Sequence, residues 1–173
     1  MDIVEFEEDL EQPLLQHLNR HWSESGRDGP HFLPFDIANG PGPRGIDLSA
    51  CALNLLEHGW QRWFLMLVEG TVRGHCSLKC DPLPTAMHRC ELGVGIETAF
   101  RGTGSGTRLI GRTIAFAKSS TSIDWIDLRV LQSNSRAIDL YRRLGFHVVA
   151  TVEDRVRIRG ESIAEVLMSL RVK

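Results

Sequence analysis

The chain has 173 residues and a mass of 19.4 kDa, enough for one domain with a full hydrophobic core and too few for two comfortable ones. Lys and Arg number 20 and Asp and Glu 22, a formal net charge of −2, which excludes a bulk electrostatic footprint for nucleic acid or an anionic membrane. A hydrophobic share of 42% and a charged share of 24% are ordinary globular values, so disorder is not the default. The longest apolar run, Trp63 to Val68, is far shorter than the roughly 20 residues of a membrane helix. The acidic N-terminus has no base before Arg20, the reverse of a signal peptide. The sequence therefore predicts a soluble cytoplasmic protein.

Asp9 to Trp22 reads as the first helix, with Leu10, Leu14, Leu18 and Trp22 at fours along one face. The acids before it read as a solvated first turn that suits the helix dipole. Ser25 to Gly45 holds five glycines and four prolines, a long irregular loop of the kind that is either disordered or functional. Within it, Asp36 reads as a solvated surface acid that is also placed to attract an amine. Asp47 caps a second, short helix carrying Leu48, Leu55 and Leu56, stopped by Gly59. From Trp60 the period changes to that of strands: Trp60 to Val68 and Thr71 to Lys79 form a hairpin turning at Glu69-Gly70. Asp81 to Pro84 breaks the chain, and His88 to Ile96 is the next strand. Gly102 to Gly106 is a glycine-rich turn into a helix from Thr107 to Lys118. A strand over Ile123 to Val130 and a helix over Ser133 to Leu144, closed by Gly145, follow. Phe146 to Arg157 and Ser162 to Arg171 end the chain as two strands turning at Arg159-Gly160. The order ααβββαβαββ describes an α/β (α+β) protein with one mixed central sheet flanked by helices.

Four cysteines, Cys51, Cys76, Cys80 and Cys90, show no paired spacing and read as free thiols. His75, Cys76, Cys80, His88 and Cys90 crowd one region, but the tight ligand spacing of structural zinc sites is missing, so no metal is expected.

The strongest local signal is Arg101-Gly-Thr-Gly-Ser-Gly-Thr107 between a strand and a helix. Glycines there let backbone N–H groups turn inward beside a helix N-terminus, an anion cradle to which Arg101 adds a cation. A P-loop needs a lysine that is absent, and a dinucleotide fingerprint needs its third glycine one residue later. About thirty residues on, Asn134-x-x-Ala137 leads into Leu140-Tyr141-Arg-Arg-Leu144-Gly145-Phe146. Asn134 and Tyr141 are seven apart and share one helical face. Read alone they are a helix cap and a packed ring. Tyr141 is the only tyrosine in the chain.

With these two motifs the sequence resembles the GNAT superfamily of acetyl-CoA-dependent N-acetyltransferases. The family's Arg/Gln-x-x-Gly-x-Gly/Ala motif stands as Arg101, Gly104 and Gly106, and its later pattern as Asn134, Ala137 and Leu140 to Phe146. The resemblance covers Trp60 to Leu170 and implies a single domain. Within that domain, residues 1–59 shape the acceptor pocket and residues 60–171 bind acetyl-CoA. It implies that His88 to Ile96 and Ile123 to Val130 are the fourth and fifth strands and splay apart to admit the pantetheine arm. Backbone groups of Val94 and Ile96 would pair with that arm. Arg101, Gly102, Gly104, Ser105, Gly106 and Thr107 would hold the pyrophosphate, with Asn134 also facing the cofactor. Tyr141 is implied as the acid that protonates the leaving sulfur. Its reference pKa near 10 lies above the roughly 8.5 of a thiol, so the site must strengthen the thiolate as base.

Relatives place a basic glutamate at the position of Cys90 or of Glu91, which face oppositely unless a bulge intervenes. Glu91 is the lead, with His88 in reserve, and an outward-facing strand carboxylate is the alternative reading. Thr98 departs from the proline, and Arg129 from the glutamate, that some relatives carry. The reading is an N-acetyltransferase acting on a small amine or amino-acid-like acceptor through a ternary complex, without a covalent enzyme intermediate. A protein or peptide N-terminal acetyltransferase and a non-catalytic acyl-CoA-binding module are the alternatives. No nucleic-acid or membrane partner is expected, and a homodimer is left open.

Overall fold

The computed structural model describes every residue except 28, 39, 41 and 43–45. Seven strands form one sheet in the order β1-β2-β3-β4-β5-β7-β6. The strands are β1 (Asp2–Glu5), β2 (Gln61–Val68), β3 (Thr71–Cys80), β4 (Arg89–Ile96), β5 (Trp125–Leu131), β6 (His147–Ile158) and β7 (Glu161–Arg171). All neighbours run antiparallel except β4 and β5. Among the described residues four α-helices accompany them: α1 (Glu11–Trp22), α2 (Leu48–Ala52), α3 (Ser105–Ser119) and α4 (Ser135–Arg143).

The elements fall where the sequence places them, with three corrections at the N-terminal end. Asp2–Glu5 is an edge strand on β2, an element that the predicted order, which begins with a helix, does not contain. Four residues with an acid at each end give too short an alternation to read, and charge on a short edge blunts further pairing. The first helix begins as a 3-10 turn at Glu8–Leu10 and becomes α-helical only at Glu11. The second helix stops at Ala52, so Leu55 and Leu56 lie outside it. Within the expected irregular loop, the described residues form no helix or strand, only turns and bends.

Strand alternation divides the core. Phe64, Met66, Cys76, Leu78, Cys90, Leu92, Ile126 and Leu128 bury one sheet face against Leu109, Ile110 and Ile114 of α3 and Ile138 and Tyr141 of α4. Trp63, Leu65 and Val72 lie in a second cluster with Leu14 and Leu18 of α1. Burying each such leucine contributes about 1.5–3 kcal/mol, enough to dock α1 on the β2–β3 side of the sheet. No helix of the described residues is long and apolar enough to cross a membrane.

Candidate active site

β4 and β5 pair only at Arg89↔Trp125, Cys90↔Ile126 and Glu91↔Asp127. Beyond that point the strands part, and β4 continues to Ile96 beside β3 alone. The Glu97 N–H donates to the Arg73 carbonyl at 3.1 Å in unbroken register with the β3–β4 ladder. Alternation along an antiparallel strand therefore turns Gly93 and Gly95 toward β3, and turns the N–H and C=O groups of Leu92, Val94 and Ile96 into the gap. The gap offers an extended chain of amides a strand edge to pair with.

At the top of this gap lies the glycine turn. Gly102 and Gly104 have φ of +81° and +82°, a left-handed conformation that glycine adopts without strain. Gly104 is the N-cap of α3, and the first intrahelical bond runs from the Arg108 N–H to the Gly104 carbonyl at 3.1 Å. The N–H groups of Ser105, Gly106 and Thr107 thus have no carbonyl one turn back and face outward with the helix dipole. A Cβ placed on Gly104 would meet no atom within 4 Å, so the mouth of the cradle is open. A helix N-terminus with free N–H groups beside an open strand edge fits a pyrophosphate joined to an amide-bearing arm.

The Arg101 side chain, expected to add a cation to the cradle, is engaged beside it. Its Nε–H donates to the Ile96 carbonyl at 2.7 Å, and its guanidinium pairs with Glu24 at 3.1 Å and covers the Phe32 ring. It ties the turn after α1 to the end of β4 and occupies the carbonyl, though not the N–H, of Ile96. The cation over the cradle is Arg136 of α4, whose guanidinium would lie 2.7 Å from a Cβ on Gly102.

Tyr141 projects from α4 into the core, 7% exposed, with its ring 5.9 Å from Phe146. Burial, with Cys76 nearby, raises its pKa well above the usual phenol range, so the hydroxyl keeps its proton. Asn134 caps α4 by accepting from the Ala137 N–H at 3.3 Å, which leaves its side-chain N–H groups as donors. The cap is thus real and does not exhaust the residue.

β4 carries no bulge between Gly74↔Ile96 and Cys80↔Cys90, so Cys90 and Glu91 face opposite ways. Cys90 lies in the core, where burial drives its thiol pKa upward. Glu91 is exposed at the last pair before the strands part. It lines a cleft of about 260 Å³ together with Arg89, Asp127, Arg129, Val149 and Ser169. Arg89 grips Asp127 with two bonds of 2.8 and 2.6 Å, and the Ser169 hydroxyl donates to the same carboxylate, fixing the floor of the cleft. His88 precedes β4 and is not among the residues lining the cleft. Asp36 in the long loop pairs with Arg159 of the β6–β7 turn at 3.0 Å. This clasp ties the loop to the hairpin, and the guanidinium lowers the carboxyl pKa. A larger hollow of about 450 Å³ lies away from the fork, between the end of α2 and the end of α3. Its one cation, Arg62, is spent on the Cys51 and Leu53 carbonyls.

Among the described residues no three His, Cys, Asp or Glu side chains are placed to share a metal ion. Burial pushes the Cys76 thiol up to about 12, leaving it an apolar core group.

One cluster was not read from the sequence. His17 and His21 of α1, His75 of β3 and Glu97 after β4 are all buried against one another. His17 Nδ1 lies 2.9 Å from Glu97 Oε1, and His17 Nε2 lies 2.9 Å from His75 Nδ1. Arg20 and Arg73 hold Glu97 at 2.9 and 3.1 Å. His21 stacks on Phe32 at 4.4 Å and its Nδ1 has no hydrogen-bond partner. Burial, the largest cause, lowers the pKa of all three imidazoles, that of His21 to about 3. Glu97 is held below the usual carboxylate range by its bonds to His17, Arg20 and Arg73, which outweigh burial. The signal in the sequence was Gly95. A Cβ there would fall 2.5 Å from both His21 and His75, and a glycine inside a strand marks such a close approach.

A model of the acetyltransferase (GNAT) family matches residues 13–146. The L-amino acid N-acetyltransferase AaaT of Escherichia coli (strain K12) is 24% identical over 126 residues, 68% of this chain and 77% of that protein. A GNAT-family acetyltransferase from Streptococcus pneumoniae superimposes with a TM-score of 0.82 at 22% identity, covering 98% of this chain and 99% of that one. The yncA acetyltransferase structure from Salmonella typhimurium, solved with acetyl-CoA, gives 0.79 at 18% identity over 100% and 94%. Family model, sheet order and forked strands agree: the chain belongs to the acetyltransferase (GNAT) family, whose members move an acetyl group from acetyl-CoA to an amine.

Proposed function

We propose that the fork between β4 and β5 seats acetyl-CoA and passes its acetyl group to the primary amine of a small, amino-acid-like acceptor. The observation that carries this reading is the parting of the strands beyond Glu91↔Asp127, next to the glycine cradle and within one sheet of Tyr141. The N–H groups of Ser105, Gly106 and Thr107, with Gly102 and Gly104 shaping the turn and Arg136 above it, hold the phosphates. Val94, the Ile96 N–H and the Asn134 amide hold the arm. The cofactor supplies an acyl carbon activated by its sulfur. An amine attacks that carbon directly, so no nucleophilic cysteine is needed, and a β4 N–H such as that of Leu92 stabilises the developing oxyanion. Glu91 lies in the open cleft, where it takes a proton from the arriving ammonium, directly or through water. Tyr141, on the opposite face, gives its proton to the departing sulfur.

A small acceptor is supported by the cleft's size and by the loop clasped over the hairpin through Asp36 and Arg159. An amino-acid-like one is supported by the relative named as an L-amino acid N-acetyltransferase and by Arg129 in the lining of the cleft. The uncovered outer half of the sheet, with Val149 59% exposed, favours a second reading in which the acceptor is a peptide N-terminus. A turnover screen of acetyl-CoA against L-amino acids, simple amines and short peptides tests both. Thiol release with free amino acids supports the first reading, release with peptides alone supports the second, and binding without release leaves only a binding module.

A further inference from the structure

We propose that Glu97, His17 and His75 form a proton relay that serves the acyl-transfer step, with His75 Nε2 as its terminal acceptor. This rests on the reading of the β4 edge as the seat of the acyl arm. Glu97 is pinned by Arg20 and Arg73 and as a carboxylate can only accept, so His17 donates through Nδ1–H. His17 Nε2 is then bare and can only accept, so His75 donates to it through its own Nδ1–H. Two bonds of 2.9 Å thereby force one tautomer on His75, with the lone pair on Nε2, which has no hydrogen-bond partner among the described residues. The relay lies on the Glu91 face of the sheet: His75 is paired with Gly95, and Glu91 is an even number of residues along the same strand. Gly95 separates Val94 from Ile96, and its missing side chain lets the imidazoles reach the backbone beside the open edge.

The charged groups acting on His75 are His17 and His21 of α1 and Lys79 of β3, and around the cluster stand Arg20 of α1, Glu24 just after it, Arg73 of β3, Glu97 after β4 and Arg101 in the turn. Burial keeps the imidazoles uncharged at neutral pH, so the lone pair is available rather than protonated. An arriving ammonium must lose two protons to become an amide. Glu91 takes the first in the open cleft. As nitrogen bonds the acyl carbon and the carbon–sulfur bond breaks, the second passes through intervening water to His75 Nε2, which lies about 10 Å along the strand from Leu92, while sulfur receives one from Tyr141. The charge gained at His75 is offset through His17 by Glu97; of the two protons taken by Glu91 and His75, one is regained by Tyr141 through solvent and the other is released, so ammonium and thioester give amide, thiol and one proton.

The two bases separate by pH. Loss of Glu91 matters least where the acceptor amine is already neutral, whereas loss of His75 persists there. In His75→Gln, kcat is expected to fall about 10²-fold at both neutral and alkaline pH, with acceptor KM and CoA affinity unchanged. Long-range ¹H–¹⁵N spectra of the wild type are expected to show His17 and His75 neutral and protonated on Nδ1, a readout that needs no variant to fold. A folded His75→Gln enzyme with unchanged kcat, a loss that disappears at alkaline pH, or a proton on His75 Nε2 would each overturn the relay. Calorimetry of the wild type with CoA reports separately on the seat itself: no binding there sinks the underlying reading rather than the relay.

Discussion

Three neutral imidazoles buried around Glu97 make the protein acid-sensitive by a calculable amount. The folded-state pKa of each is depressed, so stability is fully present above the unfolded value near 6.5 and is lost as pH falls toward the folded one, about 3 for His21. At pH 5.5 an unfolded histidine gains about 1.4 kcal/mol from protonation that His21, held at about 3, forgoes in the folded state, and His17 and His75 act in the same direction. Against a typical total of 5–15 kcal/mol that is a large fraction. The perturbation that isolates one share is His21→Phe. The ring keeps its stack on Phe32, and a buried nitrogen without a partner disappears. Urea unfolding followed by fluorescence of the buried Trp60 and Trp63, at pH 7.5, 6.5 and 5.5, should show the variant losing about 1.4 kcal/mol less than the wild type across that range. Superimposable pH dependences for the two proteins, or a wild type whose stability is flat from 7.5 to 5.5, would refute the reasoning.

Three further outcomes follow from the fork. Gly104→Val should abolish CoA binding in calorimetry and also cost about 1–2 kcal/mol in urea unfolding, because φ is +82° at that position; intact affinity would remove the cradle from the account. Glu91→Gln should lower turnover most at low pH, where the acceptor is an ammonium, and an unchanged pH–rate profile would assign that proton to solvent. Tyr141→Phe keeps the ring against Phe146, so stability and CoA affinity should hold while kcat falls about 10²-fold. A full kcat with a good acceptor would make Tyr141 a packing residue.

What the sequence made legible was whatever repeats along a single element. Periodicity placed β2 to β7 and α1, α3 and α4 within a few residues, because each buries a continuous face. The glycine turn was legible as a local shape, but its positive φ at Gly104 and the side-chain direction of Arg101 were not. Arg101 is bound by Glu24 and the Ile96 carbonyl, contacts that depend on how α1 docks. Arg136 reaches the cradle from α4 for the same reason. The histidine–glutamate cluster joins positions 17, 75 and 97, and nothing local to any one of them announces the others. His17 and His21 sit beside the leucine stripe of α1 rather than on the face first read as apolar. Only Gly95, a glycine inside a central strand that leaves room for His21 and His75, pointed there.

The claim on which the rest depends is that Val94 and Ile96 turn their N–H groups into an open gap that the cofactor arm fills. Residue-resolved amide exchange, with and without CoA, tests it directly. Val94 and Ile96 are expected to exchange freely in the free protein and to become protected by CoA. Gly93 and Gly95, paired to β3 in the same strand, should stay protected throughout. Protection of Val94 and Ile96 in the absence of CoA, or exchange that CoA leaves unchanged, would contradict it.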